Sequence, residues 1–145
     1  IIITTMSDIK HTTFTRVNYS DTDQMGFMHH SKYPCYYENA RWEFFRAMNI
    51  PYSEVEAQNI LMPVIDVAFK YLKPAFYDEQ LRIVTTVAIK SSVKMKFEYQ
   101  MFNSKDELVN EGYVTTAFVQ KEGLKPCHPP KCIAEAFEDY QQKNG

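Results

Sequence analysis

Two carboxylates, a turn glycine and two histidines occur between Tyr19 and Tyr33, directly before a predicted helix. These residues are Asp21, Asp23, Gly26, His29 and His30. A carboxylate can act as a nucleophile or as a general base. The unpaired N–H groups at a helix N-terminus can bind a carbonyl oxygen or an anion. This segment could therefore form a site for acyl transfer.

The helix that follows is predicted from the spacing of its apolar residues. Between Ser31 and Met48 they recur at steps of three and four: Tyr33, Tyr36, Tyr37, Ala40, Phe44, Ala47 and Met48. The peptide dipoles add positive charge at the helix start. Asp23 lies seven residues before His30, and Gly26 between them allows the chain to reverse. Asp23 can therefore face a group that is held at the helix start.

The other elements predict an α+β fold in which this helix packs on an antiparallel sheet. The predicted strands are Thr13 to Asn18, Leu61 to Leu72, Gln80 to Lys90, Val93 to Phe102 and Leu108 to Gln120. A short helix is predicted from Ser53 to about Asn59, and a closing helix from Pro129–Pro130 through Tyr140. Leu81, Ile83 and Val87 share one strand face, which predicts an apolar inner side of the sheet.

Composition favours one domain and excludes a general affinity for nucleic acid. The chain has 145 residues, of which 45% are hydrophobic, so a sizeable core can form. Sixteen basic and 18 acidic residues give a formal net charge of −2, which provides no positive field for a nucleic acid. Residues 1–5, which precede Met6, are interpreted as an expression remnant or a disordered start, and residues 6–145 as a single domain.

Cysteine usage and hydropathy predict a cytoplasmic protein without a membrane span. Cys35, Cys127 and Cys132 are an odd number, and no basic and apolar leader is evident, which argues against a secreted disulfide framework. The apolar segment that begins at Leu61 is interrupted by charged residues. The sequence therefore favours a reducing compartment.

Two groups of potential metal ligands do not form a convincing site. The adjacent His29 and His30 would not point to one centre, and no third ligand has a suitable spacing. Cys127, His128 and Cys132 form an incomplete zinc set, which favours a loop with free thiols. No metal and no other cofactor is predicted.

Most of the chain resembles hotdog-fold acyl-CoA thioesterases of the 4-hydroxybenzoyl-CoA thioesterase family, closest to the bacterial short-chain acyl-CoA branch. The first matching stretch is Tyr19, Asp21, Thr22, Asp23, Gly26, His30, Tyr33, Glu38, Ala40 and Arg41. The second is Pro63, Asp66, Val67, Tyr71, Pro74 and Ala75. The resemblance implies a hotdog fold, in which an antiparallel sheet wraps around a long central helix.

The resemblance assigns catalytic roles to Asp23 and His30. It implies that Asp23, rather than Asp21, is the carboxylate that acts on the thioester. It also implies that the backbone N–H of His30 binds the thioester carbonyl, and that in this branch the His30 side chain assists. His29 departs from the aromatic residue that is common at its position. The alternative for Asp23 is a turn or helix cap, and for the His30 side chain a capping or packing role.

The predicted substrate contacts and subunit contacts also follow from the resemblance. The predicted substrate-binding residues are Gly26, Tyr33, Lys90, Ser91, Ser92 and Lys94. The last four match the basic segment that the family uses for the nucleotide of coenzyme A, with a solvated strand face as the alternative. Tyr33 could instead belong to the core. The family pairs sheets edge to edge, which implies a homodimer or a homotetramer.

The expected function is hydrolysis of an acyl-CoA to a carboxylic acid and free CoA. Asp23 would act as a nucleophile or as a general base, and the helix start would polarise the carbonyl. Two alternatives remain open at this point. One is a hotdog module without catalysis that binds an acyl-CoA or a protein partner, and the other is a thioesterase that acts on acyl-carrier protein.

Overall fold

The computed structural model describes residues 9–50, 52–91 and 93–144. The interpretation of residues 1–5 and the predicted substrate contact of Ser92 lie outside these residues. No helix within the described ranges is long and apolar enough to cross a membrane.

One short turn separates the central helix from the loop that carries the aspartates. A 3-10 turn over His30–Lys32 leads into α1, Tyr33–Ala47, and Pro34 occupies its first turn. Proline is tolerated there because a first-turn N–H has no partner within the helix. The helix ends at Ala47, and Asn49, two residues later, has a φ of 61°, the left-handed conformation common just after a helix. Two shorter helices follow, α2 over Tyr52–Ala57 and α3 over Lys131–Asn144.

Five antiparallel strands form the main sheet, in the order β1-β4-β5-β6-β3. They are β1 Lys10–Arg16, β3 Val64–Tyr71, β4 Gln80–Ser91, β5 Lys94–Phe102 and β6 Leu108–Ala117. A separate pair consists of β2 Ile60–Leu61 and β7 Val119–Gln120. This is the predicted hotdog arrangement, with a long helix wrapped by an antiparallel sheet.

The core lies between α1 and the inner face of the sheet. The buried side of α1 contains Tyr33, Tyr36, Tyr37, Ala40, Arg41, Phe44 and Phe45. On β4, Leu81, Ile83 and Val87 are fully buried, as their alternation predicts. Gly112 on β6 allows the Phe69 ring of β3 to lie across it, since a Cβ at Gly112 would be 2.5 Å from Phe69 Cδ1.

Several element boundaries differ from the sequence prediction. The stretches from Leu61 to Leu72 and from Leu108 to Gln120 are each two strands instead of one. The first is interrupted at Pro63, which has no N–H to continue a ladder. The first strand is Lys10–Arg16, earlier than predicted. Asn59 lies beyond α2, with a φ of 58°.

The strand β3 forms an edge of the main sheet and is largely uncovered. Val64, Ile65, Val67 and Tyr71 each expose nearly half of their surface. Runs of exposed apolar side chains on a sheet edge favour contact with another chain.

Candidate active site

The segment that carries the two aspartates folds back on itself as a tight hairpin. The His29 N–H donates to the Asp21 carbonyl at 2.9 Å, and the Asp23 N–H donates to the Phe27 carbonyl at 3.1 Å. Gly26 closes the turn with a φ of 87°, and its N–H donates to the Asp23 carbonyl at 3.0 Å. Few residues other than glycine adopt this conformation readily. The hairpin therefore returns the chain from Asp23 to the start of the helical segment.

The hairpin is held in place by the segment that precedes β4. The Met28 N–H donates to the Ala75 carbonyl at 2.8 Å. Phe27 forms an isolated β-bridge with Phe76, and the two rings meet edge to face with centroids 6.4 Å apart. The backbone around the hairpin is thus fixed by contacts with a distant part of the chain.

Asp21 serves to anchor the loop to α1. The buried Tyr36 hydroxyl donates to Asp21 Oδ2 at 2.5 Å and accepts from the Asn18 N–H at 3.0 Å. Burial, and to a smaller extent the Asp21 carboxylate, raise the pKa of Tyr36 to about 12. The Asp21 carboxylate is therefore engaged in a structural hydrogen bond.

Asp23 keeps one carboxylate oxygen without a protein partner. It is partly buried, and its Oδ1 accepts from the Met25 N–H at 2.8 Å, as in an Asx turn. Among the described residues, none donates a hydrogen bond to Oδ2. The turn-cap role and a chemical role are thus compatible, because they use different oxygens.

The backbone N–H groups at the helix start differ in whether they have a hydrogen-bond acceptor. The Ser31 N–H donates to His29 Nδ1 at 3.2 Å, and the Lys32 N–H donates to the His29 carbonyl at 3.0 Å. For the His30 N–H, no acceptor is present among the described residues. His29 is therefore the capping residue of this turn, and the N–H of His30 remains available to a ligand.

Residues 17–137 match the family model of the thioesterase-like superfamily. The chain belongs to this superfamily. The chain is 30% identical to the acyl-CoA thioester hydrolase YbgC of Escherichia coli O6:H1 over 123 residues, which cover 85% of this chain and 92% of the relative. The acyl-CoA thioesterase YbgC of Haemophilus influenzae is 29% identical over 123 residues, which cover 84% of this chain and 90% of the relative.

A solved thioesterase structure has the same fold. The DHNA-CoA thioesterase from Staphylococcus aureus superposes with a TM-score of 0.84 and 28% identity, and 93% of each chain is covered. The similarity extends over nearly the whole of both chains.

The aromatic side chains beside the helix start differ in exposure. Tyr33 is buried in the core, where burial raises the pKa of its hydroxyl. The His30 side chain is exposed, and its ring centroid lies 4.2 Å from that of His29. In this thioesterase the His30 imidazole is therefore open to solvent, whereas Tyr33 is a packing residue at the base of the helix start.

Tyr71 is a contact that the sequence did not assign to the site. Its hydroxyl donates to the His30 carbonyl at 2.9 Å, and its ring meets the Tyr33 ring edge to face at 5.0 Å. The sequence places Tyr71 in the second stretch that resembles the family, and alternation along β3 puts it on the same strand face as Val67 and Phe69. Alternation does not reveal what a side chain contacts.

The predicted nucleotide-binding residues lie at the opposite end of β4 from the hairpin. Gln80 at the start of β4 pairs with Arg16, close to the hairpin, whereas Ser91 at its end pairs with Lys94. Twelve residues at ~3.3 Å each separate the two ends by roughly 35 Å along the strand. One protomer of this thioesterase therefore does not bring Lys90, Ser91 and Lys94 to the helix start.

A cleft of about 730 Å³ lies beside the β2–β7 pair. It is lined by Gln58, Asn59, Ile60, Gln120, Lys121, Glu122 and Cys127. It contains none of the predicted site residues. Cys35, Cys127 and Cys132 are free thiols, and within the described ranges no three potential ligands are grouped to hold a metal ion.

Proposed function

We propose that this protein hydrolyses acyl-CoA thioesters to a carboxylic acid and free CoA, with Asp23 as the reacting carboxylate and the His30 N–H as the donor to the carbonyl. The observation that carries the proposal concerns the two ends of the hairpin. Among the described residues, one Asp23 carboxylate oxygen has no donor and the His30 N–H has no acceptor. The names of the relatives support the substrate class, because they refer to hydrolysis of CoA thioesters.

The His30 N–H would stabilise the oxygen that gains charge during the reaction. In acyl transfer the thioester carbonyl oxygen becomes negative as the carbonyl carbon is attacked. One preorganised donor at that oxygen typically lowers the barrier by about 2.7–4 kcal/mol. The dipole of the helix adds to this effect, because its positive end faces the same position.

Asp23 can act by two routes that lead to the same products. As a nucleophile, it forms a bond to the carbonyl carbon, the bond to sulfur breaks, and water then hydrolyses the acyl-enzyme anhydride. As a general base, it takes a proton from water while the water oxygen bonds to the carbonyl carbon; the bond to sulfur then breaks, and the proton passes to the departing thiolate. A single turnover in ¹⁸O-labelled water separates the routes, since only the nucleophilic route can leave ¹⁸O in the Asp23 carboxylate.

We further propose that the working form is at least a homodimer, either a dimer or a tetramer, in a reducing cytoplasm. The uncovered apolar side chains of the edge strand β3 support association with a second copy. If Lys90, Ser91, Ser92 and Lys94 bind the nucleotide, a second copy would supply them, given their distance from the hairpin along β4. The three free thiols fit a reducing compartment.

The test compares two aspartate variants of the same hairpin. Release of thiol from a panel of short aliphatic, long aliphatic and aromatic acyl-CoAs is measured for wild type, Asp23→Asn and Asp21→Asn. We expect kcat to fall at least a hundredfold for Asp23→Asn, because a general base typically contributes a factor of about a hundred or more to the rate. We expect less than a tenfold loss for Asp21→Asn, because asparagine can still accept from the Tyr36 hydroxyl.

The outcomes distinguish the candidate functions. Undiminished turnover in Asp23→Asn would remove Asp23 from the mechanism. His30→Ala should lose less activity than Asp23→Ala, because the backbone N–H survives the substitution. If the wild type released no thiol from any acyl-CoA, two further assays would follow. Thiol release from acyl-carrier protein would test a thioesterase with that substrate, and partner capture would test a binding module without catalysis.

A further inference from the structure

Tyr71 connects the edge strand of the sheet to the residue that carries the unpaired N–H. It is the last residue of β3. Its hydroxyl donates to the His30 carbonyl at 2.9 Å. Its ring packs edge to face on the buried Tyr33 ring at 5.0 Å and lies 6.5 Å from the His30 ring. One side chain thus contacts the backbone, the side chain and the supporting ring of the helix start.

The His30 carbonyl lacks its α-helical donor because a proline follows four positions later. In an α-helix this carbonyl would accept from the N–H of residue 34. Residue 34 is a proline, which has no N–H. The α-helical donor is therefore missing at this position, although the 3-10 turn allows the Tyr33 N–H to reach the same carbonyl. The Tyr71 hydroxyl donates to this carbonyl from the sheet.

The carbonyl and the N–H of His30 belong to adjacent peptide planes that share one Cα. Holding the carbonyl limits rotation about that Cα and so limits the direction of the N–H. The neighbouring N–H groups of Ser31 and Lys32 are already held by His29. Tyr71 is the contact from the sheet that completes this turn, and the segment after it holds Met28 through the Ala75 carbonyl.

We propose that Tyr71 is a positioning residue that aims the His30 N–H at the thioester carbonyl. This inference rests on the proposed function, since it assigns Tyr71 a role only through His30. Tyr71 itself does not react. Its loss should reduce transition-state stabilisation more than substrate binding, because a misdirected donor matters most when the carbonyl oxygen becomes charged.

The experiment removes the hydroxyl and keeps the ring. Steady-state kinetics compare wild type, Tyr71→Phe and a control, Tyr113→Phe, which removes a hydroxyl that donates to Asp66 on the outer face of the sheet. We expect kcat of Tyr71→Phe to be about three- to tenfold lower, with KM within about twofold of wild type. Replacing Tyr71 by p-aminophenylalanine returns an N–H donor and should restore part of kcat. Tyr113→Phe should behave as wild type.

A second readout reports the order of the turn without any substrate. The Ser31 amide follows the His30 carbonyl and is bonded to His29 Nδ1, so its ¹⁵N chemical shift and its hydrogen exchange rate report on both contacts. We expect Tyr71→Phe to shift this resonance and to raise its exchange rate at least threefold. Tyr113→Phe should leave both unchanged.

The results separate the inference from the proposed function. Unchanged kcat in Tyr71→Phe, a rise in KM alone, or an equal loss in Tyr113→Phe would overturn the role of Tyr71 while leaving the activity established. Absence of thiol release from the wild type would overturn the proposed function and, with it, the catalytic role of Tyr71. A fall in kcat without any change at the Ser31 amide would show that Tyr71 acts other than through this turn, which also overturns the inference.

Discussion

Replacing Tyr36 by phenylalanine would test how the loop with the two aspartates is attached to the central helix. The substitution removes one hydroxyl and keeps the buried ring. The hydroxyl donates to Asp21 Oδ2 at 2.5 Å and accepts from the Asn18 N–H at 3.0 Å. Both bonds join α1 to the loop, so their loss should destabilise the fold and loosen the hairpin that carries Asp23.

The expected size of the effect follows from the two hydrogen bonds. A bond to a charged group contributes about 1.5–3 kcal/mol to stability, and one between neutral groups about 0.5–1.5 kcal/mol. Asn18 is exposed and Asp21 is only partly buried, so water can replace part of each lost bond. The lower ends of the two ranges therefore apply, and we expect Tyr36→Phe to reduce the free energy of unfolding by about 2 kcal/mol. For a domain of this size that corresponds to roughly 6–8 °C in Tm.

The effect of Tyr36→Phe should depend on pH. The pKa of Tyr36 is about 12 in the folded protein and about 10 when unfolded, because burial and Asp21 disfavour the phenolate. A raised phenol pKa means that the stabilising contribution is fully present below pH 10 and is lost as the pH rises towards 12. The difference in stability between wild type and Tyr36→Phe should therefore shrink over that interval.

Urea unfolding at pH 7 and at several values between pH 9 and 12 provides the measurement. Tyr19→Phe is the matched control, because Tyr19 lies in the same loop and is 75% exposed. We expect its unfolding midpoint to equal that of wild type. A loss below about 0.5 kcal/mol at pH 7 in Tyr36→Phe, or a difference that does not change with pH, would refute the reasoning.

Substitutions at three further positions have defined outcomes. Gly112→Ala would place a Cβ 2.2 Å from a carbonyl oxygen of β3 and 2.5 Å from Phe69 Cδ1. We therefore expect the free energy of unfolding, measured with urea, to fall by about 3 kcal/mol. An unchanged unfolding midpoint would contradict the close approach of the two strands. His29→Ala should cost about 1 kcal/mol in thermal unfolding because it uncaps the Ser31 N–H, whereas His29→Asn should lose less. Equal losses would argue against capping. Lys94→Glu should raise KM for acyl-CoA more than it lowers kcat, and unchanged kinetics would remove Lys94 from the nucleotide site.

The sequence predicts the elements whose patterns are local. The three- and four-residue steps after Ser31 predict the central helix, because one face of a helix must be apolar to pack on a sheet. The alternation at Leu81, Ile83 and Val87 predicts a strand with one buried face, and these side chains are fully buried. Both patterns depend only on near neighbours in the chain.

Features that depend on distant partners are poorly encoded by local patterns. The pairing of β2 with β7 joins Ile60 to Gln120. Pro63 could indicate a break after Leu61, but no local pattern indicates which strand pairs with Ile60 and Leu61. The role of Tyr71 depends on a residue 41 positions earlier. Its neighbours along β3 give no sign of that contact.

The two aspartates of the hairpin illustrate the same limit at the site. Local sequence does not distinguish Asp21 from Asp23, since both are short acidic residues in a turn. The distinction depends on the Tyr36 hydroxyl, which reaches Asp21 from one turn inside α1. Family resemblance predicts Asp23 as the reacting group, and the geometry adds a physical reason for Asp21 to be unavailable.

If a second copy pairs with the edge strand β3, as proposed above, assembly is coupled to the order of the site. Tyr71 ends that strand, so any chain that pairs with the edge also restrains the side chain that holds the His30 carbonyl. Thermodynamic linkage makes such a coupling reciprocal. If association of the subunits raises the affinity for a ligand that orders the helix start, that ligand raises the affinity between the subunits by the same factor. Specific activity should then fall on dilution, and an analogue bound at the helix start should lower the concentration at which the subunits separate.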